Sequence, residues 1–184
     1  MTRTPLRLLV LLAASFTAIT LAVPAQAASP YCGISWGSQA KEGTSSGSGE
    51  ITDVRSGRHA CYDRLVIDLR GTGSPASWSV RYVPQVREDP TDRPVALRGG
   101  AFLQIAVQAP DHDLDYVLTY RPANRNELVD VAGYRTFRQV AHAGSFEAVT
   151  SFGVGVRARL PFRVLELSGP GHGSRIAIDV AHRW

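Results

Sequence analysis

Beyond about residue 50, apolar and polar positions alternate with the two-residue period of a β-strand. The densest apolar run is Cys61 to Arg70. It places Leu65, Ile67 and Leu69 on one face and Arg64, Val66, Asp68 and Arg70 on the other, then stops at Gly71-Thr72-Gly73. Trp78, Val80 and Tyr82 alternate before Pro84, and Leu103, Ile105 and Val107 alternate before Ala109-Pro110. Ile51 to Arg55 reads as a short edge strand. From Tyr134 onward the pattern predicts strands over Tyr134 to His142, Phe146 to Arg157, Phe162 to Leu167 and Ser174 to His182. Ala143-Gly144-Ser145, Leu160-Pro161 and the Gly169–Gly173 run supply the breaks. Along the second of these strands, Phe146, Ala148, Thr150, Phe152, Val154 and Val156 are expected to form one continuous face.

Three stretches break the pattern. Asp111 to Asp130 is ambiguous: Leu114, Val117 and Leu118 have helical spacing, whereas Tyr116, Val117, Thr119 and Tyr120 favour extended backbone, and the balance tips to a strand over Asp115 to Arg121. Arg87 to Arg98, with its acids and prolines, reads as a surface loop. Tyr31 to Gly37 reads as an arm, and the serine- and glycine-rich Lys41–Gly49 stretch as a loose loop. About nine or ten short strands without a convincing amphipathic helix indicate an all-β sandwich or barrel. One strand pattern recurs. Arg64-Leu65-Val66-Ile67-Asp68-Leu69 returns as Arg175-Ile176-Ala177-Ile178-Asp179-Val180, which predicts two related halves with these strands in matching places.

Composition adds an address. Arg3 and Arg7 precede an apolar segment from Leu8 to Val23, and Ala25-Gln26-Ala27 offers small residues for cleavage, so residues 1–27 read as a secretory signal. Cleavage there leaves 157 of the 184 residues, one domain's worth, and lowers the formal charge from +4 to +2. That balance is too even for a nucleic-acid surface. Nothing after the leader is long and apolar enough to cross a bilayer. Two cysteines in an exported chain are most simply a pair, Cys32 with Cys61, and neither a metal site nor a reactive thiol has partners at suitable spacing.

The succession Asp63 to Leu69, Val80-Arg81-Tyr82-Val83, Ala101-Phe102-Leu103, Gly144-Ser145-Phe146-Glu147, Phe152-Gly153-Val154-Gly155, Pro161-Phe162-Arg163-Val164 and Arg175 to Val180 resembles the AMIN-like domain, found in exported proteins and lipoproteins of Gram-positive bacteria. The likeness covers roughly Ile51 to His182. It implies a sandwich of two similar sheets and, through the related AMIN domain of cell-wall amidases, association with peptidoglycan. The chain departs from the lipoprotein members in lacking a lipobox cysteine, and it carries no fused amidase domain. The expected organisation is a leader over 1–27, a disulfide-pinned arm and loop over 28–50, and an AMIN-like β domain over 51–184.

Catalytic patterns are weak. Gly43-Thr44-Ser45-Ser46-Gly47 has the letters of a nucleophile elbow but neither its strand nor its helix. Asp111, Asp113 and Asp115 alternate like calcium-loop ligands, yet Tyr116 and Pro122 stand where glycine and glutamate are needed. His59, His142, His172 and His182 sit at loops or strand ends without ligand spacing, and read as surface or turn residues. Asp68 and Asp179, opposite the core aliphatics, are expected to form exposed pairs with nearby arginines. The expectation is therefore a secreted, non-catalytic domain without a cofactor, outside the cell or on its wall. Its partner is a cell-envelope polymer, or alternatively another exported protein docked on free sheet edges or the Arg87–Arg98 loop. Arginines beside aromatics suit anionic glycans, which makes Arg81, Tyr82, Arg87, Arg135 and Arg138 the candidate contacts.

Overall fold

The computed structural model describes residues 30–71 and 73–184; the expected leader over 1–27 lies outside them. Nine strands follow a single 3-10 turn at Tyr31–Gly33: β1 (Lys41–Gly43), β2 (Gly49–Arg58), β3 (Tyr62–Gly71), β4 (Trp78–Val83), β5 (Ala101–Val107), β6 (Phe137–Phe146), β7 (Val149–Val156), β8 (Phe162–Ser168) and β9 (Ser174–Ala181). All pair antiparallel, in the orders β1-β4-β5-β7-β6 and β2-β3-β9-β8. The fold is a β-sandwich. Each sheet contains two hairpins placed with their second strands side by side, β2-β3 beside β8-β9 and β4-β5 beside β6-β7, and β1 extends the larger sheet beyond β4. The two sheets are alike in this respect, as the family likeness implied.

The predicted inward sets meet in one core. Leu65, Ile67, Ile176 and Ile178 from the four-stranded sheet face Val80, Leu103, Ile105 and Phe152 from the other, all essentially without exposed surface. Full burial of each large side chain contributes about 1.5–3 kcal/mol, so this shared apolar layer is what selects the register.

The repeated motif is placed differently from expectation. Its two copies are not in separate sheets; β3 and β9 are neighbours at the centre of one. The reason lies in the motif's own charge order. It opens on arginine and carries aspartate four residues on, so two antiparallel copies set Arg64 opposite Asp179 and Asp68 opposite Arg175. Cross-strand opposite charges favour that pairing.

Other differences follow from tertiary packing. The 111–121 stretch forms no strand; a lone bridge between His112 and Leu118 closes it into a loop. Lys41–Gly43 is not loose but pairs with β4, and Ser45 beyond it exchanges hydrogen bonds with the Ser77 hydroxyl. The break expected at residues 143–145 is an irregularity inside β6. The true turn is Glu147-Ala148, both with positive φ (47° and 60°), the geometry that suits the twist of a two-residue hairpin. Phe146 consequently lies half in solvent rather than on the inward face.

The Arg87–Arg98 loop is at the surface, as expected, with most of its residues exposed. It lies across the outer face of the five-stranded sheet, burying Val86 and packing Leu97 over β7. A side chain at Gly153 would strike Leu97 and Val86, and one at Gly155 would strike the Arg98 carbonyl. Three edge strands each take one or two hydrogen bonds from segments outside the sheet. Ile51 N–H donates to Pro110 and Thr119 Oγ1 donates to the Ile51 carbonyl on β2. Leu128 N–H donates to Val140 and His142 N–H to Arg125 on β6, and Phe162 N–H donates to Gly37 on β8. The remaining outer strand, β1, is three residues long. Such capping is how sheets avoid pairing with other chains.

Candidate functional site

The outer face of the four-stranded sheet gathers arginines and aromatics around one carboxylate. Asp179, on inner strand β9, has no exposed surface. It accepts Arg64 Nε on Oδ1 at 2.5 Å and Arg64 Nη2 on Oδ2 at 2.8 Å. From the other side, Arg163 Nε donates to Oδ2 at 2.8 Å. Strand pairing dictates this convergence: Arg64 and Arg163 are the register partners of Asp179 on the two strands that flank it. The expected exposed pair is therefore a buried triad of net charge +1. The Arg64 and Arg163 side chains keep 22% and 27% exposure. Hydrogen bonding to Asp179 pushes the Arg64 guanidinium upward from its ordinary value, so it stays charged. Nη1 and Nη2 of Arg163 meet no acceptor among the described residues.

Aromatic rings flank the pair. Both guanidiniums lie over Tyr62, at 5.2 Å for Arg64 and 5.3 Å for Arg163. Arg163 also lies 5.5 Å from the Trp36 ring, and Trp36 tilts against Tyr62 at 6.0 Å. These contacts hold the guanidiniums in place at a modest gain, about 0.5–1 kcal/mol each where exposed. Trp36 reaches the site because the Cys32–Cys61 disulfide fastens the arm beside β3, and its indole N–H donates to the Tyr31 carbonyl. The expected cysteine pairing is thus present, and the arm it holds forms one rim of the site.

The five residues expected from sequence do not converge on a single place. Arg81 is exposed on β4, opposite Gln104. Tyr82 points the other way, toward the core, where its hydroxyl donates to the Leu160 carbonyl and accepts the Leu160 N–H. Burial pushes the Tyr82 hydroxyl upward from its ordinary pKa, and Arg159 lies over its ring at 4.7 Å. Arg87 donates to Asp92 within its own loop. Arg138 donates to the carbonyls of Tyr134, Phe137 and Arg135, and Arg135 itself is exposed. Among the described residues, no hydrogen bond or ion pair joins Arg81, Tyr82 or Arg87 to Arg135 or Arg138. Sequence reading passed over Arg64 and Arg163, although Arg64 stands within the repeated motif. The missing signal was strand order, which alone says that Asp179 has arginines on both sides.

Two histidines expected at the surface are buried against carboxylates. His182 Nε2 lies 3.1 Å from Asp63, whose other oxygen accepts the Thr136 and Phe137 N–H groups at 2.5 and 3.1 Å, tying β3 to the start of β6. His142 Nδ1 faces two donors, Arg125 Nη2 at 2.8 Å and Gly144 N at 3.1 Å. It can only accept there, so Nε2 carries the proton it gives to Asp111 at 3.1 Å. That hydrogen bond, against some opposing desolvation, holds the Asp111 carboxyl below the usual aspartate range. Each cluster joins separate segments of chain. Among the described residues, no group of three His, Cys, Asp or Glu side chains is placed to share a metal ion, and no helix is long and apolar enough to cross a membrane.

An antiparallel two-sheet sandwich, with its motif strands paired at the centre of one sheet and an arm stapled across that sheet's end, defines a class of small β domain. The chain belongs to the AMIN-like domain family, whose model matches residues 49–182. No curated protein matches it.

Proposed function

We propose that this is a secreted, non-catalytic domain that associates with the cell envelope by binding anionic groups of a wall polymer on the outer face of the four-stranded sheet. The observation that carries the reading is the pair of guanidiniums fixed side by side on Asp179, with N–H donors of Arg163 left over. A planar guanidinium already oriented by a buried carboxylate loses little freedom on gripping a second carboxylate or a phosphate. Family membership supports the same reading, because the AMIN-like resemblance implies wall association. Docking of a protein partner on the Arg87–Arg98 loop or on a sheet edge has no comparable observation behind it: Arg87, in that loop, is spent on Asp92.

The test is co-sedimentation of the protein lacking residues 1–27 with purified cell-wall sacculi, at low and high salt. Wild type is expected in the pellet at low salt and to be released as ionic strength screens the contacts. The Arg64→Gln/Arg163→Gln double variant, checked for folding by thermal denaturation, is expected to pellet about tenfold more weakly. Wild-type protein that stays wholly in the supernatant at both salts overturns the proposal.

A further inference from the structure

One end of the sandwich carries an apolar surface that neither the core nor the arginine face uses. The 111–118 loop projects Leu114 and Tyr116 almost wholly into solvent, 96% and 82% exposed, with Val117 and Leu118 about half exposed beside them. Patches of this kind on a folded domain are normally interaction sites. The loop is built to hold them out. Asp113 Oδ1 accepts the N–H groups of Asp115 and Val117 at 3.0 and 2.9 Å, and the Asp113 N–H donates to the Val117 carbonyl at 2.9 Å. Tyr116 sits in left-handed backbone, φ 59°, a conformation a tyrosine rarely adopts. One face of its ring is stacked on His112, 5.0 Å between centroids and 26° between planes. Tyr116 and Leu114 also line an open cleft of about 470 Å³, together with Pro110, Glu50, Ser48 and Gly49.

We propose that this cleft binds an uncharged sugar ring, a pyranose whose C–H face lies on Tyr116 and Leu114 and whose hydroxyls reach Glu50 and Asp113. The lining chooses the class. It contains no lysine or arginine, the Arg70 guanidinium beside it is engaged by Glu50, and His112 Nδ1 is turned to the Asp113 carbonyl, so no unengaged guanidinium or ammonium awaits an anionic group there. Its two carboxylates are already engaged, Glu50 with Arg70 at 3.3 Å and Asp113 with two backbone amides. That blunts their pull on a cation while leaving oxygen lone pairs to accept hydroxyls. An apolar platform with a few convergent acceptors is the usual make-up of a small-ligand site. The site stands apart from the arginine face and takes a different chemistry, so either can hold without the other.

The probe is a neutral β-1,4-linked N-acetylglucosamine oligomer, titrated into the protein lacking residues 1–27 and followed by amide chemical shifts. Shifts are expected at residues 48–50 and 112–118. Tyr116→Asn, which removes the ring but tolerates left-handed backbone, is expected to weaken binding about tenfold; Leu114→Ser tests the second wall. Arg64→Gln/Arg163→Gln should leave the oligomer titration unchanged, even where it abolishes sedimentation with sacculi. Absence of shifts in the cleft at millimolar oligomer overturns the proposal. So does Tyr116-dependent binding to phosphatidylglycerol vesicles without oligomer binding, since the loop would then be a membrane-docking tip.

Discussion

Asp179 concentrates the physics of the arginine face in one side chain. A fully buried carboxylate is costly unless each oxygen is hydrogen-bonded and its charge is met, and Arg64 and Arg163 do both. Asp179→Asn removes the charge between two guanidiniums that then repel. A loss of about 3 kcal/mol is expected, read from urea unfolding, whereas Arg163→Ala should cost less because Arg64 still satisfies both oxygens. Asp111 makes a smaller, pH-marked contribution. Its folded pKa is depressed through His142, so its stabilisation is fully present above the unfolded aspartate value of about 3.9 and is lost as pH falls through the lower folded value. The stability gap between wild type and Asp111→Asn should therefore be constant above about pH 5 and close below about pH 4, measured by urea midpoints across that range. Residue parity announced that Asp179 points away from the core. It did not announce burial, because that depends on Arg64 and Arg163 arriving from two other strands.

At the scale of elements, strand existence was legible and strand ends were not. Leu103, Ile105 and Val107 alternate because one side of β5 is dry, whereas β7 and β9 are covered on both faces and buried along almost their whole length. Turn chemistry misled in the β6–β7 hairpin because Gly144 is needed for a different reason. It has φ 106°, and a Cβ there would strike the Asp89 backbone, whose N–H donates to Ala143 at 2.9 Å. The same crossing segment explains why β7 is glycine-rich on its outer side. Gly155→Ala puts a methyl into the Arg98 carbonyl, which no rotamer change relieves. A cost of about 1–3 kcal/mol is expected, with faster amide hydrogen exchange over residues 86–98 and little change in the four-stranded sheet. Equal exchange in wild type and variant would mean that the segment does not lie on the sheet as described. The 111–121 stretch misled because its β-forming side chains serve a loop rather than a ladder: Tyr116 and Val117 stand exposed at its tip while Tyr120 turns into the core.

The whole molecule is two similar sheets with a stapled arm, and the staple is what holds the Trp36 rim against the arginine face. Apart from the disulfide, the arm is held by the Gly37–Phe162 hydrogen bond, by Arg159 Nη2 donating to the Ser38 carbonyl at 3.1 Å, by Arg183 over the Tyr31 ring at 4.6 Å, and by Trp36 against Tyr62 and Arg163. These are few and largely at the surface, whereas a bridge spanning 29 residues contributes about 3–4 kcal/mol in the chain-entropy description. Cys32→Ser/Cys61→Ser should therefore lose stability of that order while the sandwich, whose core contains no arm residue, still folds. Limited proteolysis separates the two effects. Cleavage is expected within residues 33–40 of the variant, leaving a resistant fragment from about Lys41 onward, since β1 stays paired with β4. With Trp36 gone from beside Arg163, binding of the variant to sacculi should fall even where its sandwich is intact. If the variant instead keeps both its protease resistance and its sedimentation, the arm is secured by its own contacts and Trp36 owes its place to them, not to the bridge.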